Sequence, residues 1–149
     1  MRASRPRFSP SYGISDSEEG LLAWEWALER LATSRNYWIS TTRADGRPHA
    51  MPVWGVVYEG ALWFGTGGVK AQNLERDPRL VAHTESGDEV VILEGTAEQR
   101  EIDEALRDAY EAKYDLRPEA SRFWIVRPSL AYAWRESDYP TSATRFTPR

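Results

Sequence analysis

The chain has 149 residues, with 19 Lys+Arg against 23 Asp+Glu, a formal net charge of −4 and a sequence pI near 5.3. A single domain of this length buries enough surface to hold a core without staples. With no cysteine it forms no disulfide, thiolate nucleophile or Cys-based metal centre, and its mild acidity argues against nucleic acid as a partner. No apolar run approaches the roughly 18 residues of a membrane span, and the basic N-terminus is not followed by a secretory apolar segment, so no membrane association and a cytoplasmic location are expected. The compositional signal is aromatic: 7 Trp, 7 Tyr and 4 Phe, side chains that serve cores, interfaces and planar ligands alike.

Residues 1–14 mix Arg, Ser and Pro without periodicity and predict a flexible arm, leaving residues 15–149 as one domain. Ser15 with Glu18 forms a capping-box pattern, and Leu21, Trp24, Leu28 and Leu31 follow at helical spacing, predicting a helix from Ser15 to about Thr33. The period then changes to two. Tyr37–Arg43 reads as a strand, Asp45-Gly46 as a hairpin turn and His49–Tyr58 as the return strand. Pro52 and Gly55 within it mark a bulge, an edge or a close approach of ligand or backbone. Glu59-Gly60 turns into a third strand, Ala61–Thr66, and Gly67-Gly68 precedes a short helix, Val69–Glu75, that stops before Pro78. Strands are predicted over Leu80–Thr84 and Glu89–Glu98, a helix over Ile102–Lys113, and two last strands, Arg122–Arg127 and Leu130–Arg135, around Pro128, ahead of a polar tail. About seven short strands with hairpin turns predict a mainly β fold with flanking helices, closed as an antiparallel barrel.

His49 and His83, the only histidines, lie in different strands, and neither HExxH nor GxSxG occurs, so neither a zinc enzyme nor a Ser-His-Asp hydrolase is expected and no metal is assigned. Both histidines read as surface or packed strand residues. Thr66-Gly67-Gly68-Val69-Lys70 is the most informative stretch: glycines let backbone N–H groups turn inward, a helix N-terminus adds partial positive charge, and Lys70 adds a full one. The same pattern also suits an ordinary strand-to-helix turn with a solvated lysine, and it is not a Walker loop. Met51-Pro52-Val53-Trp54 is the second stretch, where a proline-disrupted strand frees peptide groups for a flat heterocycle or simply forms an edge. A chain without Cys or His chemistry but with anion-binding and stacking features borrows its reactivity from a cofactor.

From Trp38 to Glu98 the chain resembles the pyridoxamine 5'-phosphate oxidase-like family of flavin and deazaflavin oxidoreductases on a split β-barrel. The likeness is carried by Ser40-Thr41-Thr42, Asp45-Gly46-Arg47-Pro48-His49, Pro52-Val53-Trp54, Leu62-Trp63-Phe64, Thr66, Lys70-Ala71-Gln72-Asn73-Leu74, Asp77-Pro78 and Glu94-Gly95, with Trp134 and Arg145-Phe146 resembling the closing segment. The resemblance implies a homodimer with two cofactor sites at the subunit interface, each built from both chains. It implies that Thr66, Gly67 and Lys70 meet the cofactor phosphate with Asn73 one turn on. Met51, Pro52, Val53 and Trp54 would run beside the ring, and Trp134 and Arg145 would reach in from the partner. FMN oxidases of the family carry an Arg and a Lys on the strand equivalent to Met51–Val57 and a second basic residue where Val69 stands; this chain has neither. The Trp-Ile-Ser-Thr-Thr and Pro-Val-Trp pattern resembles instead the branch that uses coenzyme F-420, the favoured cofactor over FMN. The implied activity is hydride transfer to a small unsaturated or quinone-like substrate, and true pyridoxamine phosphate oxidation is not expected. Tyr37, Trp38, Trp54 and Tyr58 are candidates for a substrate wall as well as for packing, and no general acid is assigned. The alternatives are a non-catalytic split-barrel protein that binds flavin or haem, with His49 or His83 as the haem ligand, and an aromatic-rich structural dimer without a ligand.

Overall fold

The structure is a computed structural model that describes all residues 1–149. Nine strands alternate with four helices: β1 (Arg2–Ser4), α1 (Trp24–Thr33), β2 (Tyr37–Thr42), β3 (Pro48–Val53), β4 (Gly55–Tyr58), β5 (Ala61–Phe64), α2 (Gly68–Arg76), β6 (Arg79–Thr84), β7 (Glu89–Glu101), α3 (Glu104–Tyr114), β8 (Arg122–Arg135), α4 (Tyr139–Ser142) and β9 (Thr144–Thr147). All pairings are antiparallel, in the order β1-β9-β8-β7-β6-β2-β3, with β4 pairing β5 and β5 joining the far end of β8. The path does not close, so β1 and β3 remain edges and the barrel is split, as the resemblance implied. No helix is long and apolar enough to cross a membrane.

Alternation makes the core. Tyr37, Ile39 and Thr41 of β2 point inward and are buried, as are Val91 and Leu93 of β7 and Ala131 and Ala133 of β8, and α1 lays Ala27 and Leu31 over them. A second, smaller core joins Val56, Trp63, Phe123 and Ile125 to Leu106, Tyr110 and Tyr114 of α3. The opposite face of the main sheet carries Trp38, Pro52, Val81, Ile92, Leu130 and Tyr132, none of them buried, although an apolar face of this kind normally finds a cover.

Five expectations are corrected. The first helix begins at Trp24 and not Ser15, because Gly20 is at φ +88°, with Thr141 O only 2.8 Å from where a Cβ would stand, and Ser15 caps the local Ser17 N–H instead. The N-terminal arm is held in place: β1 pairs with β9, and the Arg5 guanidinium donates to four carbonyls, of Ser17, Glu19, Thr141 and Ala143. The strand predicted over His49–Tyr58 breaks at Trp54 into β3 and β4. Conversely, the two strands expected around Pro128 are one 14-residue strand, in which a register shift at Glu94/Gly95 leaves Ser129 as the extra residue of a bulge. The polar tail folds as α4 and β9.

Candidate functional site

The site is built on β3 and the N-terminus of α2. β3 is an edge strand whose residues Ala50, Met51 and Pro52 are exposed. Pro48 and Pro52 have no N–H to give to β2; with both on the side turned away, the open edge carries carbonyls and the single N–H of Ala50. Edge polarity of this kind suits a heterocycle with its own donors and acceptors, and the two prolines blunt pairing with another strand. Met51 is 47% exposed, while the Val53 side chain is buried in the core, leaving only its backbone to a ligand.

α2 starts without a side-chain cap. Its N-cap Gly67 is extended, and Gly68 takes φ +62°, a conformation that glycine adopts without strain. A Cβ at either glycine would meet nothing within 4 Å, so the first turn opens onto free space with its N–H groups unpaired. Thr66 and Lys70 stand half-buried on either side of this turn. Asn73 is only 3% exposed; its amide donates to Thr41 Oγ1 (3.0 Å) and accepts from Arg76 (3.2 Å), tying α2 to β2. It therefore acts on the site by fixing the helix that carries Lys70.

His49, read from the sequence as a packed or surface residue or as a haem ligand, belongs here. On β3 it faces Thr41, and its Nδ1 is buried without a hydrogen-bond partner. Burial, with the positive charges of Arg43 and Lys70 beside it, holds the ring below the usual histidine range, so at neutral pH it is uncharged. Its shared parity with Met51 on one strand was the available signal; that α2 packs on the neighbouring β2, opposite His49, was not. Open helix N–H groups and Lys70 stand together in the first turn of α2, with His49 near enough to feel the Lys70 charge, a setting that fits a phosphate group.

The other end of β3 holds Trp54, stacked on Tyr114 with ring centres 4.5 Å apart. Of the expected substrate wall, Trp54 and Trp38 are exposed, whereas Tyr37 is fully buried with its hydroxyl donated to Leu31 O, and Tyr58 donates to Asp103 (3.0 Å). Trp134 and Arg145 are elsewhere. Trp134 lies on β8 edge-on to Tyr139 (5.5 Å) and Phe8 (6.2 Å), and Arg145 is on β9 opposite Tyr132. Strands β8, β7, β6 and β2 separate Arg145 from β3, so one protomer does not bring these residues to Lys70 and Met51.

An open antiparallel sheet folded round two cores, with a helix N-terminus set against an edge strand, defines a split β-barrel. The sequence matches the family model described as pyridoxamine 5'-phosphate oxidase over residues 24–135, and the chain belongs to that family. No curated protein matches it. Among solved structures it is similar to conserved hypothetical protein Rv2991 from Mycobacterium tuberculosis (23% identity, TM-score 0.66, 82% of this chain and 90% of that one). It is similar too to a heme binding protein from Mycobacterium smegmatis (21%, TM-score 0.66, 90% and 59%) and to an F420 reductase (21%, TM-score 0.56, 69% and 93%). At these identities the likeness is one of fold.

Proposed function

We propose that the protein is a cytoplasmic oxidoreductase that uses coenzyme F-420, or FMN as the second choice, at two sites shared across a homodimer. The observation that carries this reading is the uncapped, open N-terminus of α2 with Lys70 in its first turn, its charge reaching His49 on the exposed edge strand β3. Lys70 and the N–H groups of Gly68 and Val69 hold the phosphate, His49 hydrogen-bonds it, and the β3 edge from Met51 to Trp54 lies beside the ring. When bound, the reduced ring supplies a hydride. The chain's own part is to align substrate and cofactor planes, exclude water and donate hydrogen bonds, without a covalent step.

F-420 is favoured over FMN on charge. A phosphodiester carries one negative charge and a phosphate monoester approaches two, and beyond Lys70 and the Arg43 charge near His49 neither position 69 nor the strand Met51–Val57 adds a basic residue. The uncovered sheet face supports the homodimer, because a second copy packed on it would cover its apolar residues and bring Trp134 and Arg145 toward the partner's β3. The similarity to an F420 reductase supports the cofactor class. Titration of the purified protein with F-420 and with FMN, followed by fluorescence, tests the reading. Binding in the micromolar range, weakened about tenfold or more by Lys70→Ala, is expected; retention of neither cofactor overturns it.

A haem-binding role is the second reading, and His83 favours it. His83 is half-buried on the uncovered face and its Nδ1 pairs with Thr84 O (2.8 Å), leaving Nε2 free to meet iron. A Soret band lost in His83→Ala would support this role in place of the first.

A further inference from the structure

The kink between β3 and β4 is held from the side of α3. Gly55 N–H donates to the Tyr114 hydroxyl (2.9 Å), Gly55 O accepts from Lys113 Nζ (2.9 Å), and the Tyr114 hydroxyl lies 2.7 Å from Arg35 O, to which it donates. A side chain at position 55 would collide with Trp63 O, 2.8 Å from the place of its Cβ. Trp54, fixed at this kink, lies flat on Tyr114 with planes only 4° from parallel, yet stays 36% exposed.

The Arg35 guanidinium carbon is 5.3 Å from the Trp54 ring centre and 5.4 Å from that of Tyr114, so the cation sits at the seam of the stack, nearly equidistant from both rings. It makes no ion pair: Glu89 of the same neighbourhood pairs with Arg30, and Glu85 turns its carboxylate to the Asn36 amide. Arg35 also walls a cleft of about 420 Å³ between the end of α1 and the β6–β7 turn, whose lining has no apolar side chain and holds Arg30, Glu85 and Glu89 beside Ser34 and Thr84. Thr84 is 4% exposed and its hydroxyl has no partner within the chain. A locked indole, an unpaired guanidinium at its edge and an unmet hydroxyl behind form a two-part receptor, flat and apolar in front and polar at the back, with Arg35 the cation set against the indole.

We propose that Trp54, Arg35 and this cleft bind a planar substrate bearing a carboxylate or sulfonate, its ring on the indole and its anion on Arg35. The inference rests on the oxidoreductase reading for the role of that substrate as hydride acceptor. With the cofactor phosphate beside His49, Trp54 lies five residues further along, roughly 17 Å at about 3.3 Å per residue, toward the end of the strand where the reacting ring would lie. A neutral acceptor of the same shape stacks equally well and gains nothing from Arg35, so the guanidinium is a specificity-determining group.

The test compares menadione with a sulfonated naphthoquinone as acceptors for the cofactor-loaded protein, and measures by calorimetry the binding of naphthalene sulfonate. Arg35→Met is expected to raise KM for the sulfonated acceptor about tenfold or more, with menadione turnover and cofactor affinity unchanged. Arg35→Lys should recover part of the loss, since it keeps the charge without the planar fork. Equal effects on both acceptors, or naphthalene sulfonate binding that ignores Arg35→Met, overturn the proposal. If neither F-420 nor FMN binds, the oxidoreductase reading fails, and calorimetry on the purified protein still decides whether the planar anion binds here.

Discussion

Lys113 occupies an uncommon setting for a lysine. Its ammonium is half-buried between Tyr37 and Gly55, donating to the Tyr37 hydroxyl (2.7 Å) and to Gly55 O. Burial, aided by the nearby Arg35, pushes its pKa from the usual 10.5 down to about 8. In the unfolded chain the same group stays protonated to about pH 10. Between about pH 8 and pH 10 the unfolded state thus holds more protons, and stability rises with pH across that window. Above it the sign reverses, because burial raises the pKa of Tyr37, whose phenol stays protonated in the folded state while unfolded tyrosines ionise. Urea midpoints should therefore climb from about pH 8 to about pH 10 and then fall. In Lys113→Met the climb should vanish and the fall remain. A wild-type midpoint that is level across the window would contradict the setting assigned to this ammonium.

The long β7–β8 ribbon depends on one glycine. At Gly95 the register shifts, and a Cβ there would lie 2.1 Å from Arg127 O and 2.8 Å from Pro128 Cα, both backbone atoms that cannot step aside without opening the ladder. Gly95→Ala is expected to destabilise the fold by about 3 kcal/mol or more, read as a lowered denaturation midpoint, whereas Gly87→Ala, at an open turn, should cost little. Loss of less than half that amount in Gly95→Ala would mean that the bulge is softer than its contacts imply. The same element marks the limit of what was legible beforehand. Alternation in Tyr37–Thr42 and in Val90–Leu93, and the Asp45-Gly46 and Glu59-Gly60 turns, are local chemistry and gave strands and hairpins where they occur. Pro128 was read as a break because proline cannot donate to a ladder, but a bulge across from Gly95 absorbs it, a fact that depends on a residue 33 positions away. Arg5 likewise looked like part of a loose arm, since its four acceptor carbonyls belong to segments that meet it only in the folded chain. Within the site, the glycine pair and Lys70 stood out by spacing, while His49 and Arg35 did not, because what distinguishes them is an unmet nitrogen and an unpaired charge created by tertiary contacts.

At the scale of the whole molecule the candidate site residues fall into two groups that the sheet keeps apart: Lys70, Met51 and Trp54 around β3, and Trp134 with Arg145 on β8 and β9. A two-fold dimer that packs the uncovered faces together gives each site one group from either chain, and that arrangement makes a prediction independent of any single affinity. Lys70→Ala damages the β3 side and Arg145→Ala the β9 side, so each homodimer should bind cofactor poorly. When the two variants are unfolded, mixed in equal amounts and refolded, half of the dimers are mixed, and each mixed dimer has one site carrying both lesions and one carrying neither. Cofactor capacity should return to about a quarter of the wild-type value at wild-type affinity, with no recovery when either variant is refolded alone. Fluorescence titration of the refolded mixture measures both capacity and affinity. Were the site complete within one chain, every protomer in the mixture would still bear its own lesion and capacity would stay at the level of the parents, which would rule out the shared site and leave the apolar sheet face in need of another cover.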